Sequence, residues 1–453
     1  MRRAMLTLGF VALLGGCKVG PNYKRPEVAP PTQFRAGEAQ PVQVSLGDAK
    51  WFEVFQDEAL QGLVREALTA NFDTRIAAQR VIAAEGQFSA TRSSLFPRVD
   101  AQASASRTGV NMPMQTSAGA YGMVSWELDL FGKIRRATEA AQAELLATKF
   151  NQDAVRQALV SQVAVAYFSL LEYDAELVYV RESLKTRTES LRLVTARQQG
   201  GVATRVGVDQ AQSRVASAQA SAALLEKAVE QTENLINFLL AKQPGPVTRG
   251  QNLTTQKQPP QVPAGLPSSL LDRRPDVRAA EQTLVAANAR VGVAKAAFFP
   301  SITLTGGGGY QSSDLLGMSR TGSAYSFSGM VDLPIFDAGR RSGNYKTAKA
   351  QREEMIIAYQ KAAANAFRDV SDSLVGYQKA KEFRASQELF ANTLRDQSRL
   401  SNLRYRGGVT SYLEVLDTER QRLAAEQQLA QAQRDELTSL VQLYKALGGG
   451  WQQ

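Results

Sequence analysis

The stretch RYRGGVTSYLEVLD (Arg404–Asp417) places two adjacent glycines inside a sequence that otherwise favours helix. From Asn344 up to this stretch the chain has no proline and one glycine, and beyond it, to Leu447, neither residue occurs. Adjacent glycines interrupt a helix because glycine adopts backbone conformations that other residues avoid. The sequence therefore predicts two helices separated by a glycine break. A similar stretch, RQQGGVATRVGVDQ (Arg197–Gln210), predicts a second break of the same kind.

An internal repeat organises the chain. When the sequence is shifted by about 200 residues, FDTRIAAQRVIAAEGQFSATRSSLFPRV (Phe72–Val99) aligns with PDVRAAEQTLVAANARVGVAKAAFFPSI (Pro275–Ile302). LDLFGKIRR likewise aligns with LPIFDAGRR, and the Gly-Gly-Val at 200–202 aligns with that at 407–409. Chance and alanine-rich composition account for the matched alanines but not for these other marks together. Each copy is therefore predicted to run helix, β-hairpin, very long helix, glycine break and helix.

The repeat and the proline-rich stretches divide the chain into six predicted segments. They are a signal peptide (1–16), a lipidated N-terminal strap (17–56), repeat 1 (57–243), a proline-rich link (244–268), repeat 2 (269–447) and a C-terminal tail (448–453). Prolines prevent a continuous helix in the link, because each one removes a backbone donor and fixes φ.

The N-terminal stretch MRRAMLTLGFVALLGGC has the basic start, apolar run and small residues of a secretory signal. Its last four residues also resemble a bacterial lipobox, in which cleavage falls before the cysteine and the cysteine thiol carries lipid. An ordinary signal peptide with an incidental cysteine is the alternative. The lipobox is favoured because Cys17 is the only cysteine of the chain. Lys18 stands where an aspartate would resemble an inner-membrane retention signal, so the anchor is expected in the outer membrane.

Both predicted β-hairpins alternate apolar and polar residues over about ten residues per strand, as the strands of membrane barrels do. In the first hairpin Val124 and Trp126 alternate with Ser125 and Glu127. Aromatic residues are expected to mark the two ends of the strands: Phe96, Phe131, Phe299 and Phe336 at one end, and Tyr121, Tyr310 and Tyr325 at the other. The alternative is a soluble sheet with one hydrated face.

The number of predicted strands limits how such a sheet can lie in lipid. Four strands cannot close a barrel, and open sheet edges are not tolerated in a bilayer. Either the sheet lies outside a membrane or several chains share one barrel. Three chains would supply twelve strands, which is within the even-numbered range of known membrane barrels.

The segment from Ile134 to Gln199 contains neither glycine nor proline, so a helix of about 60 residues and about 90 Å is expected. Apolar residues recur there every seven positions, which predicts a paired helix with left-handed supercoiling: Val163, Leu170, Leu177, Leu184 and Leu191. In the last helix one seven-residue column is apolar, and its companion is largely polar: Leu413, Arg420, Gln427, Arg434 and Val441. That companion column is predicted to face a water-filled tube.

Composition argues against several classes of function. The 453 residues include no histidine, the commonest metal ligand and general base, so no metal site and no catalytic residue is predicted. The net charge of +10 comes from scattered residues without a basic block, which argues against nucleic-acid binding. Gly306–Gly309 lie at a predicted strand end and lack the following lysine of a phosphate loop. After the signal, no run of 18 apolar residues predicts a membrane-spanning helix.

The chain resembles the TolC-like outer-membrane efflux proteins, in particular their OprM/NodT-like lipoprotein branch, which serves resistance-nodulation-division (RND) multidrug efflux pumps. Six stretches carry the resemblance over nearly the whole chain: GCKVGPNYKRP (16–26), SWELDLFGKIRR (125–136), RRPDVRAAEQTLVAANARVGVAKAAFFPSI (273–302), LPIFDAGRR (333–341), RYRGGVTSYLEVLDTERQ (404–421) and LYKALGGGW (443–451). The resemblance implies a mainly α fold that forms a homotrimer, with a twelve-stranded outer-membrane β-barrel of four strands per chain. It implies that a long periplasmic α-helical barrel of coiled-coil hairpins continues the β-barrel, with a mixed equatorial belt around it.

The resemblance also assigns roles to the glycine breaks. Gly200 and Gly201, and Gly407 and Gly408, match the turns of two helical hairpins at the periplasmic tip of the family's helical barrel. The periplasmic adaptor protein and the inner-membrane RND pump dock at these turns in the family. The resemblance therefore implies both of these proteins as partners, together with outer-membrane lipid.

A candidate periplasmic gate follows from the same resemblance. Leu413 and Asp417 match the family's constriction positions, so three copies of each would form an apolar ring and a carboxylate ring. Basic residues that tie the closed tip through charge-assisted hydrogen bonds are matched by three arginines: Arg404, Arg406 and Arg420. Asp209 of the first hairpin is a further candidate. The alternative for all these charges is an ordinary solvated helix face.

The implied function is the exit duct of a tripartite efflux system. It would passively conduct drugs or other small toxic solutes from periplasm to exterior, with iris-like movement of the hairpins opening the tip. A type I secretion or heavy-metal efflux duct of the same architecture is one alternative, and a soluble periplasmic coiled-coil scaffold is another. No nucleophile–base pair points to an enzyme, and no cofactor is implied beyond the covalent lipid on Cys17.

Overall fold

A computed structural model of the chain describes residues 18–32, 34, 45–109, 115–256, 267–312 and 322–451. Cys17, the predicted signal peptide 1–16 and part of the predicted link (257–266) lie outside the described residues. The predicted domain boundaries and the lipid anchor therefore stay predictions.

The described elements follow the predicted order of helix, β-hairpin, very long helix, glycine break and helix, twice. The helices are α1 (Trp51–Val54), α2 (Glu58–Ala70), α3 (Phe72–Ser93), α4 (Lys133–Gln199), α5 (Arg205–Leu239), α6 (Leu270–Arg273), α7 (Pro275–Ala296), α8 (Arg340–Arg406) and α9 (Tyr412–Ala446). The strands are β1 (Arg98–Thr108), β2 (Gln115–Leu128), β3 (Ser301–Ser312) and β4 (Gly322–Asp332). Short 3₁₀ turns lie at Leu46–Asp48, Leu253–Thr255 and Pro267–Ser269. The predicted class, mainly α with four strands per chain, is confirmed.

The chain forms two compact units. The sheet unit comprises the described residues of 18–28, 79–150 and 278–362, and the hairpin unit comprises the described residues of 29–78, 151–277 and 363–453. Both long helices, α4 and α8, have 67 residues. One stretch of α4 is long and apolar enough to cross a membrane, but 61% of it is buried inside the protein, as expected of a core helix.

The sheet unit contains one antiparallel sheet with the order β1-β2-β3-β4. Its register aligns Val99, Val124, Gly306 and Phe327 across the four strands. Because side chains alternate along a strand, one face is apolar, with Trp126, Leu304, Tyr310, Tyr325 and Val331. The opposite face is polar and carries Asp100, Gln102, Ser125, Thr305 and Ser326. The predicted two-faced alternation is thus confirmed.

The register qualifies two features of the predicted sheet. Tyr121 was expected with Tyr310 and Tyr325 towards one end of the strands, and its pairing with Gly309 puts it next to the level of Tyr310, but on the polar face. The run Gly306–Gly309 was expected at a strand end, but it occupies the middle of β3. The glycine run was misplaced because alternation predicts which residues share a face within one strand but not where the strand begins and ends.

Carboxylates hold the start of each long helix in the sheet unit. Asp129 accepts hydrogen bonds from the backbone N–H groups of Ile134 (3.0 Å) and Arg135 (2.8 Å) and pairs with the Arg135 guanidinium. At the start of α8, Asp337 accepts from the Arg341 N–H (3.0 Å) and pairs with its guanidinium. Each carboxylate satisfies free N–H groups at a helix N-terminus, where negative charge is favourable.

The described N-terminal residues form an ordered strap in the sheet unit. Arg136 of α4, only 1% exposed, donates hydrogen bonds to the carbonyls of Val19 and Gly20 and to the side chain of Asn22. Gly20 has φ +103° and lies so close to the backbone of Gly292 that a Cβ would clash. The strap is therefore fixed immediately after the predicted lipid-bearing residue.

Two helical hairpins, α4–α5 and α8–α9, make up most of the hairpin unit. The predicted seven-residue column of α4 faces its interior, since Val163, Leu170 and Leu177 are buried. One cluster packs Leu170 against Ile236 and Leu240 of the α5 end, and another packs Leu177 and Val180 of α4 against Ala222 of α5. A third joins Ala391 and Leu394 of α8 to Ala425 and Leu429 of α9. These contacts confirm the predicted pairing of long helices.

The polar column of α9 does not face water along its whole length, contrary to the prediction. Gln427 and Gln431 donate hydrogen bonds to Glu176 of α4, and the guanidinium of Arg434 faces Glu172 of the same helix. Val441, at the end of the column, is buried. The C-terminal half of the column thus packs against α4, whereas Leu413 and Arg420 at its other end are exposed.

The buried carboxylate of Asp57 connects several segments of the hairpin unit through hydrogen bonds. Asp57 accepts hydrogen bonds from five donors: Ala59 N, Leu60 N, Tyr167 Oη (2.9 Å), Gln251 N (2.9 Å) and Gln256 Nε2 (2.7 Å). Burial alone would raise the pKa of Asp57, but these hydrogen bonds outweigh it and hold the pKa below its ordinary value. The charged form is therefore the stable one, and its contribution is lost only as the pH falls through that low pKa.

We expect Asp57→Ala to lower the free energy of unfolding by about 3 kcal/mol, because the Tyr167 hydroxyl and the Gln251 N–H lose a buried acceptor. Thermal unfolding in detergent, followed by circular dichroism, measures the change. Asp396→Ala is the control, since this exposed carboxylate pairs only on the surface with Arg399 and should change little. Equal losses in the two variants would contradict the assignment.

Candidate functional site at the hairpin tips

Both glycine breaks form the same turn. After α4, the Val202 N–H donates to the Arg197 carbonyl (2.9 Å), and after α8 the Val409 N–H donates to the Arg404 carbonyl (2.9 Å). Gly201 and Gly408 each have φ +75°, a conformation that favours glycine. A bond that spans six residues around a left-handed glycine is the usual way to end a helix and reverse the chain. The predicted helical hairpins are thus confirmed, whereas the docking role of their glycines stays a prediction.

The second tip contains a compact cluster of charges. Arg404 Nη1 lies 3.2 Å from Glu414 Oε1, and the hydroxyl of Thr410 donates to the other oxygen of Glu414. These contacts close the short loop between α8 and α9. Arg404 was a predicted tip residue, but its partner Glu414 was not singled out. It could have been found from its place in the first turn of the helix, where acidic residues are favoured.

The predicted constriction residues lie on the exposed side of α9. Leu413 is 67% exposed, a large value for a leucine. Asp417 accepts hydrogen bonds from Arg420 (2.9 Å) and Gln421 (2.6 Å), and these bonds lower its pKa. Its carboxylate is therefore ionised at neutral pH. The structure thus brings Asp417 and Arg420 together, one helical turn apart, whereas their roles in the gate stay predictions.

A hydrogen bond joins the two hairpin tips of one chain. Arg197 at the end of α4 donates to the hydroxyl of Tyr405 at the end of α8 over 2.9 Å. The Tyr405 ring also lies against Tyr412, with 5.3 Å between ring centroids. Burial, with the nearby charge of Glu419, raises the pKa of Tyr412 to about 12. Sequence reasoning missed Arg197 and Tyr405, because their positions differ by 208 in the sequence.

Two predicted residues stand apart from this cluster. Arg406 lines a polar groove with Glu182, Arg399 and Glu419, and no ion pair of Arg406 occurs among the described residues. Asp209 is exposed near the start of α5, and within the described part of the chain it makes no hydrogen bond or ion pair. The two therefore remain candidates on position alone. The described residues also contain no group of three or more acidic or cysteine side chains placed to hold a metal ion.

Comparison with known proteins identifies the family. A sequence model described as outer membrane efflux protein matches residues 63–242 and 266–449. The chain belongs to the outer membrane efflux protein family. Similar members include the solvent efflux pump outer membrane protein SrpC of Pseudomonas putida, 37% identical over 100% of this chain and 99% of SrpC. The cation efflux system protein CusC of Escherichia coli O6:H1 is 34% identical over 97% of each chain.

A solved structure extends the comparison to the fold of this outer membrane efflux protein. The open state of the MtrE outer membrane channel of Neisseria gonorrhoeae superposes with a TM-score of 0.88 at 33% identity, covering 96% of this chain and 99% of MtrE. The family resemblance, the fold class and the outer-membrane location predicted from sequence are confirmed. This outer membrane efflux protein is an outer-membrane channel of an efflux system, and its family consists of channels rather than enzymes.

Proposed function

We propose that three copies of this chain form one water-filled duct, which an inner-membrane RND pump and a periplasmic adaptor use to expel small organic solutes. The observation that carries the proposal is the incomplete sheet. In the four-stranded sheet, β1 and β4 are edge strands without a further partner strand among the described residues. The apolar face of the sheet is exposed, and Phe327 on this face is 86% exposed. Open strand edges are not tolerated in lipid, and an exposed apolar face is unfavourable in water. Pairing of the edges among three chains would remove the open edges, and lipid would cover the apolar face.

The chemistry of the chain favours organic solutes over metal ions. One relative is named for solvent efflux and another for cation efflux, so their names support both readings. This chain, however, contains no histidine, and its one cysteine is the proposed lipid carrier. Without imidazole or free thiolate, and with eight methionines in 453 residues, it is poor in the ligands that soft transition-metal ions prefer. A polar duct lined by hydroxyl and amide groups would instead spare organic solutes the passage through lipid.

The proposed anchor agrees with the fixed strap. Lipid on Cys17 would hold the chain in the outer membrane, and Lys18, the next residue, pairs with Glu139 of α4 at 3.1 Å. Acyl chains contribute about 0.8 kcal/mol per buried CH₂ to membrane binding. The anchor therefore adds to the insertion of the sheet and starts at a fixed point of the sheet unit.

Opening is proposed to be a shift between two states of the hairpin tips. An adaptor that binds the open state more tightly than the closed one moves the equilibrium by that difference in affinity. The Arg197–Tyr405 bond holds the two hairpins of one chain together, while Leu413 and Asp417 project from the exposed side of α9. We propose that contacts among three such surfaces close the tip, and that the adaptor separates them.

A matched pair of substitutions tests the membrane sheet. Phe327→Arg places a charge on the apolar face, where a lipid-facing arginine costs about 2–4 kcal/mol near the bilayer centre. We expect this variant to lose most of its heat-sensitive oligomer from outer-membrane fractions. Ser326→Arg, on the polar face of the same strand, should keep the oligomer. Mass measurement of the detergent-extracted parent protein should give three chains.

A soluble scaffold predicts a different result for the same pair. Because Phe327 is already exposed in the chain, its replacement would then be harmless, and salt would wash the protein from the membrane. Equal assembly of the Phe327→Arg and Ser326→Arg variants would overturn the proposed function.

A further inference from the structure

One aromatic side chain lies on the polar face of the described sheet. Tyr121 of β2 is flanked across the strands by Gln102 and Gly309, and the rest of the face consists of short or polar side chains together with Met123 and Met330. If the polar face lines the duct, as the proposed function has it, three copies would place three Tyr121 rings at one level. How far these rings project then sets the opening at that level.

The glycines next to Tyr121 show how its ring is arranged. A Cβ built on Gly119, two residues earlier on the same face, would lie 2.7 Å from Cε2 of the Tyr121 ring. A Cβ built on Gly309, the cross-strand partner, would lie 2.9 Å from Cδ1 of the ring and would clash with the Ala120 carbonyl. Ring atoms this close to both sites must lie at the height of a Cβ atom. The ring therefore lies flat on the sheet, in space that a side chain at 119 would otherwise fill, and beside Gly309, where backbone atoms of Ala120 and Tyr121 lie even closer to a built Cβ than the ring does.

We propose that Gly119 and Gly309 keep the Tyr121 ring flat and so set the size of solute that passes the β-barrel. The inference rests on the proposed function, because the polar face must line a duct. Eight strands leave an interior just filled by side chains, and sixteen or more leave a wide aqueous channel. A barrel of twelve strands lies between these, so three raised tyrosines would occupy a large share of its opening. Gly309, the last residue of the mid-strand glycine run, thereby has a structural role: it leaves room for the Tyr121 ring.

The test reads access to the barrel from outside the cell. Met123 lies two residues from Tyr121 on the same face, nearer the helical end, so solutes from outside reach it after passing the ring. Met123→Cys provides a thiol for labelling in intact cells by a small and by a bulky maleimide. Lipid blocks the natural Cys17 thiol in the proposed form. Because the reagents enter from outside, the periplasmic gate does not affect the reading.

We expect Gly119→Val, added to Met123→Cys, to slow labelling by the bulky reagent at least about fivefold and by the small reagent less than twofold, since a raised ring narrows a duct of this size. Adding Tyr121→Ala to that variant should restore bulky labelling. Gly122→Val is the matched control: it introduces the same residue in the same strand on the apolar face, where the nearest atom to a Cβ is 3.7 Å away. It should leave both rates unchanged.

The outcomes separate the inference from the proposed function. If the small reagent cannot reach the Met123→Cys thiol in the parent chain, the polar face lines no open duct and the proposed function fails. If bulky labelling is unchanged by Gly119→Val, only the inference fails. Should Gly119→Val not assemble, Tyr121→Ala alone decides. If the ring lies flat, Tyr121→Ala should change the rate of labelling by the bulky reagent less than twofold. A large increase in that rate would show that the ring already projects into the duct and would overturn the inference.

Discussion

Replacing both Leu413 and Asp417 by alanine is expected to raise the conductance of the channel in planar bilayers about tenfold, because three copies of each small closing contact are lost together and their effects multiply. Leu413 is 67% exposed in the single chain, so its side chain is available to pack against neighbouring copies. Asp417 carries its charge at neutral pH, held by Arg420 and Gln421 of its own helix. The two residues thus offer an apolar contact and a charged contact on one exposed surface.

The single substitutions assign the effect to each residue. Leu413→Ala removes the apolar contact and leaves the charge, whereas Asp417→Ala removes the charge and frees Arg420. Each should raise conductance by a smaller factor than the pair, and cells that make either variant should become more sensitive to large antibiotics that the outer membrane normally excludes. Val409→Ala is the control, since this residue is also exposed at the same tip but is not assigned to the gate. Wild-type leak in both single variants would remove Leu413 and Asp417 from the gate.

Local sequence rules predicted the elements of this fold well. The glycine breaks were predictable because a chain reversal after a helix needs a left-handed residue, and Gly201 and Gly408 both adopt that conformation. The two faces of the hairpins were predictable because strand side chains alternate with period two. Because the two copies of the internal repeat align, the helices and strands predicted in one copy supported those predicted in the other.

Contacts between distant parts of the chain were not predictable in this way. The Arg197–Tyr405 bond and the pairing of Gln427 with Glu176 join residues whose positions differ by 208 and 251. A polar residue on a helix is expected to face solvent, yet Gln427 and Arg434 face acidic side chains of α4. The position of Tyr121 depends likewise on its neighbours Gly119 and Gly309, whose effect appears only when the strands are paired. Such contacts depend on packing in three dimensions, which the local pattern leaves undetermined.

The unpredicted contact with the largest expected effect is that of the buried Glu172 carboxylate with Arg434. Glu172 is 3% exposed in the interior of the hairpin unit, and its Oε2 atom has no hydrogen-bond partner in the part of the chain that the structure describes. The Nε atom of Arg434 lies 3.4 Å away. Burial is the main cause that raises the pKa of Glu172 to about 7; Arg434 acts against it, and the charges of Glu176 and Asp435 act with it. Protonation of Glu172 therefore stabilises the fold.

The sign of the pH dependence follows from this shift. In the unfolded chain a glutamate titrates near its ordinary pKa of about 4.3, and in the folded chain Glu172 holds its proton up to about pH 7. The stabilisation is complete below the ordinary pKa and is lost as the pH rises through about 7. Glu176, whose pKa is also raised by burial despite hydrogen bonds from Gln431 and Gln427, acts in the same direction.

We expect Glu172→Gln to raise the unfolding midpoint at pH 8 by at least about 4 °C, since a shift of this size corresponds to about 3 kcal/mol per chain and each kcal/mol moves the midpoint of a long chain by about 2 °C. At pH 5 the difference between the variant and the parent should be much smaller, because Glu172 is neutral in the folded chain and pH 5 lies only slightly above its unfolded pKa. Circular dichroism of the helices during heating in detergent measures both midpoints.

Glu182→Gln separates the effect of burial from that of lost charge. Glu182 lies on the same helix but its side chain is largely exposed, with Arg422 at 3.9 Å. Its replacement should leave the difference between pH 5 and pH 8 as it is in the parent. If Glu172→Gln keeps the full pH dependence of the parent, Glu172 is not the group that titrates. If Glu172→Gln destabilises the protein at pH 8, the ion pair with Arg434 outweighs the cost of burying the charge, and the charged form is the one that holds α4 to α9.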